Sequence, residues 1–173
     1  MFLVLFGIQG SGKGTQGQLL SQKLGIPHLS TGEILRTMAA EGTPEGDVVK
    51  AKIESGQYLS DEEMTAILRT HLPNDCILDG YPRTLAQAQT LDTITHVDKC
   101  IYIDLHEEEA MRRALARGRA DDTPDAIHKR FGQYHAQADA ILGHYDTQGK
   151  ILDINGDQAI EIVFTELCEK LGV

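Results

Sequence analysis

The chain has 173 residues, which suffices for one domain with a substantial core but not for two domains of ordinary size. Its formal net charge of −10 argues against nucleic acid as a partner, because nucleic-acid-binding proteins normally present a basic face. No apolar run reaches the ~18 residues that a membrane span requires, so we expect a cytoplasmic protein without membrane association. The three cysteines form no Cys-x-x-Cys pair and the histidines lack ligand-like spacing, which predicts buried thiols and no zinc site.

Short apolar segments alternate with helical patterns along the chain. The first segment, Phe2–Phe6, contains no polar residue, which is typical of a strand buried on both faces of a parallel sheet. Further strand candidates lie at 27–30, 76–79, 100–104 and 151–154. Helical patterns occupy the intervals 11–24, 30–40, 60–72, 84–94, 107–117, 123–142 and 157–171. This alternation predicts a doubly wound α/β fold with right-handed crossovers.

Two stretches depart from the alternation of strands and helices. Residues 31–59 are mostly helical with no strand between the helices, and residues 117–123, RGRADDT, form a short polar loop. Ser30 and Ser60 are each followed three residues later by a glutamate, which is the spacing of a capping box at a helix start. Both stretches are therefore expected to be additions to the α/β core.

The segment Gly7–Gln16, GIQGSGKGTQ, follows the first strand and opens the first helix. It nearly matches the loop G-x-x-x-x-G-K-[S/T], in which backbone N–H groups surround phosphate oxygens and a lysine adds a mobile charge. Gly14 stands where that motif has its hydroxyl, and the hydroxyl follows one residue later at Thr15. Four glycines, each of which loses much conformational freedom on folding, argue against a merely flexible turn. The segment therefore predicts nucleotide phosphate binding without specifying the reaction.

Several arginines gather in the segments around the predicted cleft, although the chain as a whole is acidic. Arg112 and Arg113 each follow a glutamate by four residues and are expected to form surface pairs. Five others are harder to explain by local pairing, although Asp121 and Asp122 are available partners. These five are Arg36, Arg83, Arg117, Arg119 and Arg130. Their convergence would suit a highly charged phosphate substrate, because guanidinium groups bind phosphate through paired hydrogen bonds.

Asp79 ends the predicted strand 76–79, at the edge of the sheet where ligands bind in open α/β folds. An acid in this place can orient Mg²⁺ or its water ligands in phosphate-loop enzymes. The same residue could instead cap a helix or pair with Arg83. The sequence leaves these interpretations open.

Four motifs, in this order and at these separations, resemble the adenylate kinase family. They are GIQGSGKGTQ at 7–16, STGEILR at 30–36, DGYPRTLAQAQ at 79–89, and RGRADDT with HKRFGQY within 117–134. The resemblance covers essentially the whole chain and implies a P-loop, doubly wound five-stranded parallel sheet with helices on both faces. It further implies a core of 1–29, 60–116 and 128–173, a nucleoside-monophosphate (NMP)-binding segment at 30–59 and a minimal lid at 117–127. This lid has no inserted strands and no cysteine tetrad, which fits the absence of zinc.

The resemblance also implies an activity and its residues. The activity is reversible, Mg²⁺-dependent transfer of the ATP γ-phosphoryl group to AMP, which gives two ADP, by a monomer. ATP would be held by Gly10, Ser11, Gly12, Lys13, Gly14, Thr15, Arg117 and Gly156. AMP would be held by Thr31, Arg36, Gln57, Tyr58, Leu59, Gly80, Tyr81, Pro82, Arg83, Gln87, Arg119 and Arg130. The catalytic charges would come from Lys13, Arg83, Arg117, Arg119 and Arg130, with Asp79 holding Mg²⁺ through water.

The chain departs from the family pattern at three positions. Tyr81 replaces a phenylalanine, Ser60 replaces a frequent proline, and Gln9 stands in the phosphate loop where proline is usual. None of these changes removes a charged group, so none argues against activity. The sequence offers no physical account of Gln9.

Two other functions remain open from the sequence. One is a CMP or UMP kinase of the same fold, against which Gln87 argues because its amide can pair with an adenine edge. The other is a nucleotide-sensing module without transfer activity. Retention of Lys13 and the five arginines argues against a sensor, because sensing does not need transition-state charge.

Overall fold

All five predicted strands form, together with eight helices, in the computed structural model, which describes all 173 residues. The strands are β1 (Phe2–Phe6), β2 (His28–Ser30), β3 (Cys76–Asp79), β4 (Lys99–Asp104) and β5 (Ile151–Asn155). The helices are α1 (Lys13–Leu24), α2 (Thr31–Ala40), α3 (Pro44–Glu54), α4 (Asp61–His71), α5 (Leu85–Ile94), α6 (Glu107–Arg117), α7 (Pro124–Asp146) and α8 (Ile160–Leu171).

The strands form one parallel sheet with the order β2-β3-β1-β4-β5. Strand β1 lies at the centre, with Leu3 opposite Ile77 of β3 on one side and Lys99 of β4 on the other. Every residue of β1 is buried, which explains why this strand contains no polar side chain. The predicted five-stranded, doubly wound α/β fold is therefore confirmed.

Helices cover both faces of the sheet, because successive side chains of each strand point to opposite faces. Val4 packs in a core with Leu91 of α5 and with residues of α4 and α7. Leu5 packs on the other face with Leu20 of α1 and Leu167 of α8. A fully buried aliphatic side chain contributes about 1.5–3 kcal/mol, so these two cores fix the sheet from which the site loops emerge.

Helix α7 is longer than the sequence pattern indicates. Its predicted end near residue 142 is wrong, because the helix continues to Asp146. The extra turn is held by burial, since Ile141 and Tyr145 are both fully buried against the sheet. Neither α7 nor any other helix is long and apolar enough to cross a membrane.

Two other helices begin later than predicted. Helix α1 does not start at residue 11, because the Ser11 N–H donates to the Ile8 carbonyl at 3.1 Å and closes the preceding loop. Helix α8 does not start at residue 157, because the Asp157 N–H donates to Oδ1 of Asn155 at 2.9 Å. Such an Asx turn offers the backbone an alternative to the helix.

The two stretches outside the alternation have the predicted local character. Residues 31–54 form α2 and α3 without an intervening strand. Residues 118–123 form a short turn, and Gly118 ends α6 in a left-handed conformation with a φ of 70°. Ser60 forms a complete capping box, whereas at Ser30 only one of the two bonds forms, in which the Ser30 hydroxyl oxygen accepts from the Glu33 N–H. The division into core, NMP-binding segment and lid stays a prediction.

Candidate active site

A cavity of about 860 Å³ opens at the carboxyl edge of the sheet, which is where open α/β folds bind ligands. The segments that follow β1, β3 and β5 form its floor, and α2, α3, α6 and α7 contribute further walls. Its volume lies within the range of ~300–1,000 Å³ that is usual for small-molecule sites. Most of the residues predicted to bind two different nucleotides line this one cavity.

The predicted phosphate loop forms one wall of the cavity, and all residues from Gly10 to Thr15 line it. Gly10 has a φ of 97°, and a Cβ atom there would collide with the carbonyl oxygen of Ala110 in α6. The N-cap of α1 is Gly12, which provides no side-chain cap for the first turn. The first N–H groups of α1 are therefore available to a phosphate, with the favourable end of the helix dipole behind them.

The Lys13 ammonium group lies in the curve of this loop. Its Nζ donates to the carbonyl of Gly7 at 2.7 Å and to that of Ile8 at 2.9 Å. Burial lowers the pKa of Lys13 to about 8, the nearby Asp79 carboxylate opposes this, and Arg83 adds to the lowering. An anionic phosphate in the cavity would supply the counter-charge that this buried ammonium lacks.

Asp79 lies beside Lys13 at the end of β3 and is largely buried. Burial alone would raise the pKa of Asp79, but His28, at 3.8 Å, and the charge of Lys13 hold this pKa below its usual value. The direct pair with Arg83 that the sequence left open is not formed, because Nε of Arg83 donates to the Gly80 carbonyl at 2.7 Å. Asp79 is thus an ionised carboxylate on the cavity wall.

Arg117 and Asp122 form a paired contact in the turn between α6 and α7. Nε and Nη2 of Arg117 each donate to a carboxylate oxygen of Asp122 at 2.9 Å. The Asp122 side chain has no exposed surface, whereas a third of the Arg117 side chain is exposed. The Nη1 group of Arg117 takes no part in this pair, so it is available to a ligand in the cavity.

Arg130 of α7 connects several parts of the site. Its Nη2 donates to Oδ2 of Asp121 at 2.8 Å and to the carbonyl of Ile53 in α3 at 2.9 Å. The side chain is 11% exposed and still lines the cavity. Arg130 therefore joins the predicted NMP-binding segment to the turn that contains the predicted lid arginines.

The remaining predicted arginines complete a cationic wall. Burial lowers the pKa of Arg119, and the charges of Arg117 and Arg36 lower it further. The guanidinium carbon of Arg83 lies 4.3 Å from the centre of the Tyr58 ring, a cation–π contact that orients it. All five arginines and Lys13 line the cavity.

Two predicted AMP residues lie behind the cavity wall. Thr31 is fully buried and its hydroxyl donates to the Asp79 carbonyl at 3.2 Å. Tyr81 is 1% exposed, and its hydroxyl lies 3.2 Å from that of Thr65 in α4. The other predicted AMP residues line the cavity: Arg36, Gln57, Tyr58, Leu59, Gly80, Pro82, Arg83, Gln87, Arg119 and Arg130.

Gly156 lines the far end of the cavity after β5, and here the sequence missed a contact. Nη1 of Arg113 donates to the Gly156 carbonyl at 2.9 Å. The expected pairing of Arg112 with Glu108 is wrong, because both Arg112 and Arg113 bind Glu109 at 2.6 Å. Both arginines line the cavity, and no sequence signal separates Arg113, which contacts Gly156, from its more exposed neighbour Arg112.

These features suit ligands that carry several phosphates, since backbone donors at a helix start and eight cationic side chains line one space. The strand–loop–helix arrangement places the protein among the P-loop nucleotide-binding proteins.

Comparison with known proteins narrows this class. The sequence profile of the family described as "Adenylate kinase" matches residues 5–150. The adenylate kinase of Thermus thermophilus is 34% identical over an alignment of 180 positions, gaps included, that covers 99% of this chain and 97% of that protein. The adenylate kinase of Bacteroides thetaiotaomicron is 38% identical over 96% of both chains, and adenylate kinase 1 of a Nostoc species is 35% identical over 98% of both. The chain belongs to the adenylate kinase family and is a phosphotransferase.

Proposed function

We propose that the protein transfers the γ-phosphoryl group of ATP reversibly to AMP, which gives two ADP. The observation that supports this most directly is that the phosphate loop and ten of the twelve predicted AMP residues line the same cavity. A second nucleotide bound beside the phosphate loop would receive the phosphoryl group, whereas an enzyme that hydrolyses ATP needs no such site. The cationic side chains that line this cavity support phosphoryl transfer within it.

The chemistry requires positioning and charge more than proton transfer. An AMP phosphate oxygen is already an anionic nucleophile, so no general base is needed. The N–H groups of the first turn of α1 and Lys13 would hold the ATP phosphates, and Arg83 with Arg36 would hold the AMP phosphate. Arg119 and Arg130 would then neutralise the oxygens of the group in transfer, where fixed charges act most strongly.

Mg²⁺, when bound with ATP, neutralises phosphate charge and orients the outer phosphates. Asp79 fits this ion, because it is an ionised carboxylate that lines the cavity beside Lys13. Mg²⁺ prefers oxygen ligands and keeps several waters, so one carboxylate behind a water is sufficient. No group of three or more His, Cys, Asp or Glu side chains is arranged to hold a metal ion. We infer that the Thr15 hydroxyl does not ligate Mg²⁺ directly, and a nucleotide complex with that bond would contradict this.

Gln87 supports AMP over a pyrimidine nucleotide. Its Oε1 accepts from the Arg83 N–H at 2.7 Å, and its Nε2 donates to Asp61 at 2.8 Å. These bonds fix the amide and leave one amide hydrogen and one lone pair for an adenine edge. Rates with AMP, CMP, UMP and GMP measured side by side test this point, and a preference for CMP or UMP would reverse the assignment.

We infer further that the protein acts as a cytoplasmic monomer in which segments 30–59 and 117–127 close over the nucleotides and exclude water. Its large exposed apolar side chains are scattered over α3, α6, α8 and the two chain ends, which supports a monomer. They are Met1, Val48, Leu115, Ile160, Ile162 and Val173. Light scattering during gel filtration tests the monomer, and a dimer mass would contradict it.

The activity itself is tested with purified protein, Mg²⁺, ATP and AMP. ADP should form, and Lys13→Met or Arg83→Ala should each lower kcat by about 10²–10⁴-fold while circular dichroism stays unchanged. Wild-type rates in both variants would overturn the assigned site. Tight ATP binding without ADP formation would instead favour the nucleotide-sensing module.

A further inference from the structure

Gln9, the unexplained residue of the phosphate loop, lines the cavity and contacts the turn between α6 and α7 and the helix α7 that follows it. Its Nε2 donates to Oδ1 of Asp122 at 2.8 Å. Its Oε1 accepts a longer hydrogen bond from Nη1 of Arg130, at 3.4 Å. More than 100 residues of chain separate Gln9 from either partner, so these bonds join distant parts of the sequence. A proline at this position would form neither bond.

The contact with Asp122 extends to Arg117. The buried Asp122 carboxylate accepts two bonds from Arg117 and one from Gln9. Arg117 ends α6 and belongs to the same local segment as Asp122, whereas Gln9 comes from the phosphate loop. Gln9 therefore places the Asp122–Arg117 pair relative to the loop.

The contact of Gln9 with Arg130 likewise places an arginine relative to the phosphate loop. Arg130 is held by the Asp121 carboxylate and backbone carbonyl and by the carbonyl of Ile53. Those bonds fix Arg130 relative to the turn and to α3, but not relative to the phosphate loop. Gln9 provides the bond to the loop.

We propose that Gln9 is a positioning residue for phosphoryl transfer, which sets Arg117 and Arg130 at their places opposite the phosphate loop. A carboxamide suits this task because one uncharged group presents a donor to an acid and an acceptor to a cation. An acid would repel Asp122, and an ammonium group would repel Arg130. The inference rests on the proposed roles of Arg117 and Arg130 in the reaction.

The first test is Gln9→Met, which keeps the length of the side chain and removes both hydrogen bonds. We expect kcat to fall about tenfold, because misplaced charges lose transition-state stabilisation, while KM for AMP changes less than about twofold. The urea unfolding midpoint should stay near that of the wild type. A purely structural role of Gln9 would move the midpoint rather than kcat.

The second test replaces the amide donor of Gln9 by an acceptor and then exchanges the acceptor at Asp122 for a donor. Gln9→Glu places a carboxylate against Asp122 and should lower kcat more than Gln9→Met does. Adding Asp122→Asn restores a donor–acceptor match, so the double variant should be several-fold more active than the product of the single effects predicts. Strict multiplicativity of the two effects would overturn the proposal.

Two controls separate the explanations. Gln148→Met removes a similar amide bond, to Asp92 at 3.2 Å, far from the cavity, and should leave kcat unchanged. Gln9→Pro should lower kcat as Gln9→Met does, and wild-type kcat would show that loop stiffness rather than the carboxamide matters.

Arg130→Met distinguishes failure of this inference from failure of the proposed function. If Arg130→Met loses activity by orders of magnitude but Gln9→Met retains wild-type kcat, the role of Gln9 is refuted and the proposed function stands. If both variants retain wild-type rates, the assigned role of Arg130 fails together with the inference.

Discussion

The phosphate loop and the turn between α6 and α7 supply phosphate-binding groups to one cavity by different means. The loop follows the central strand, and backbone contacts such as that of Gly10 with Ala110 fix its shape. The turn is held by ion pairs, of Arg117 with Asp122 and of Arg130 with Asp121. An added side-chain atom would disrupt the closely packed loop, whereas loss of a charged partner would disrupt the ion pairs of the turn. The two regions should therefore fail under different substitutions.

The largest effect is expected from Gly10→Ala, which breaks the loop sterically. The added Cβ would collide with the Ala110 carbonyl, so the loop or α6 must shift. We expect a roughly 100-fold lower kcat and a free energy of unfolding lower by about 2 kcal/mol, measured by steady-state kinetics and urea titration.

Gly118→Ala is the matched control in the turn. Gly118 also has a positive φ, of 70°, but no heavy atom lies within 4 Å of a Cβ there. We expect a loss of about 1 kcal/mol and a kcat within about threefold of wild type. Equal losses of activity in both variants would contradict the contrast between the two regions.

A smaller effect is expected from Asp122→Asn, which breaks the turn electrostatically. The isosteric amide cannot accept two charge-assisted bonds from Arg117 and one from Gln9. We expect the dissociation constant of ATP to rise about tenfold by calorimetry, with KM for AMP within about twofold. Asp125→Asn removes the same charge from an exposed position and should change neither quantity.

A still smaller effect concerns Arg113, which donates to the Gly156 carbonyl at the predicted adenine end of the cavity. Arg113→Ala frees that carbonyl and should raise KM for ATP about threefold with kcat unchanged, as steady-state kinetics would show. Arg112→Ala is the control, since this side chain also lines the cavity but is largely exposed and binds Glu109 without contacting Gly156. Equal responses of the two variants would contradict a specific role for Arg113.

The smallest signal is a proton taken up with ATP. The pKa of Lys13 is lowered to about 8 by burial, so near pH 8 about half of the free protein carries a neutral amine there. Bound phosphate favours the ammonium form and raises this pKa, so ATP binding at pH 8 should take up ~0.5 proton and less at pH 6.5. Calorimetry in buffers of different ionisation enthalpy measures this uptake. Lys13→Arg, which does not titrate there, should abolish it, and equal uptake in both proteins would contradict the assignment.

The sequence predicted what depends on local spacing. Glycine spacing after an apolar strand defined the phosphate loop, and the uninterrupted run of β1 defined the central strand. Helix ends were less accurate where tertiary burial decides them. Tyr145 extends α7 because it packs against the sheet, and no local pattern contains that information.

Contacts between distant segments were not readable from the sequence. Gln9 contacts Asp122 only because the fold brings the loop and the turn together, and only its departure from the family pattern marked it. Arg112 and Arg113 have the same local spacing to glutamates, yet one of them contacts Gly156. The Asp79 side chain neither caps a helix nor pairs with Arg83. It lies beside His28 on the neighbouring strand β2.

The most direct test of the account is a crystal structure with two adenosines joined by five phosphates. The account predicts phosphate oxygens at hydrogen-bond distance, about 3 Å, from Lys13 Nζ and from Arg117, Arg119 and Arg130, with Gln9 still bonded to Asp122. A phosphate chain that lies outside this cavity, or that leaves Lys13 and these arginines without contact, would contradict it.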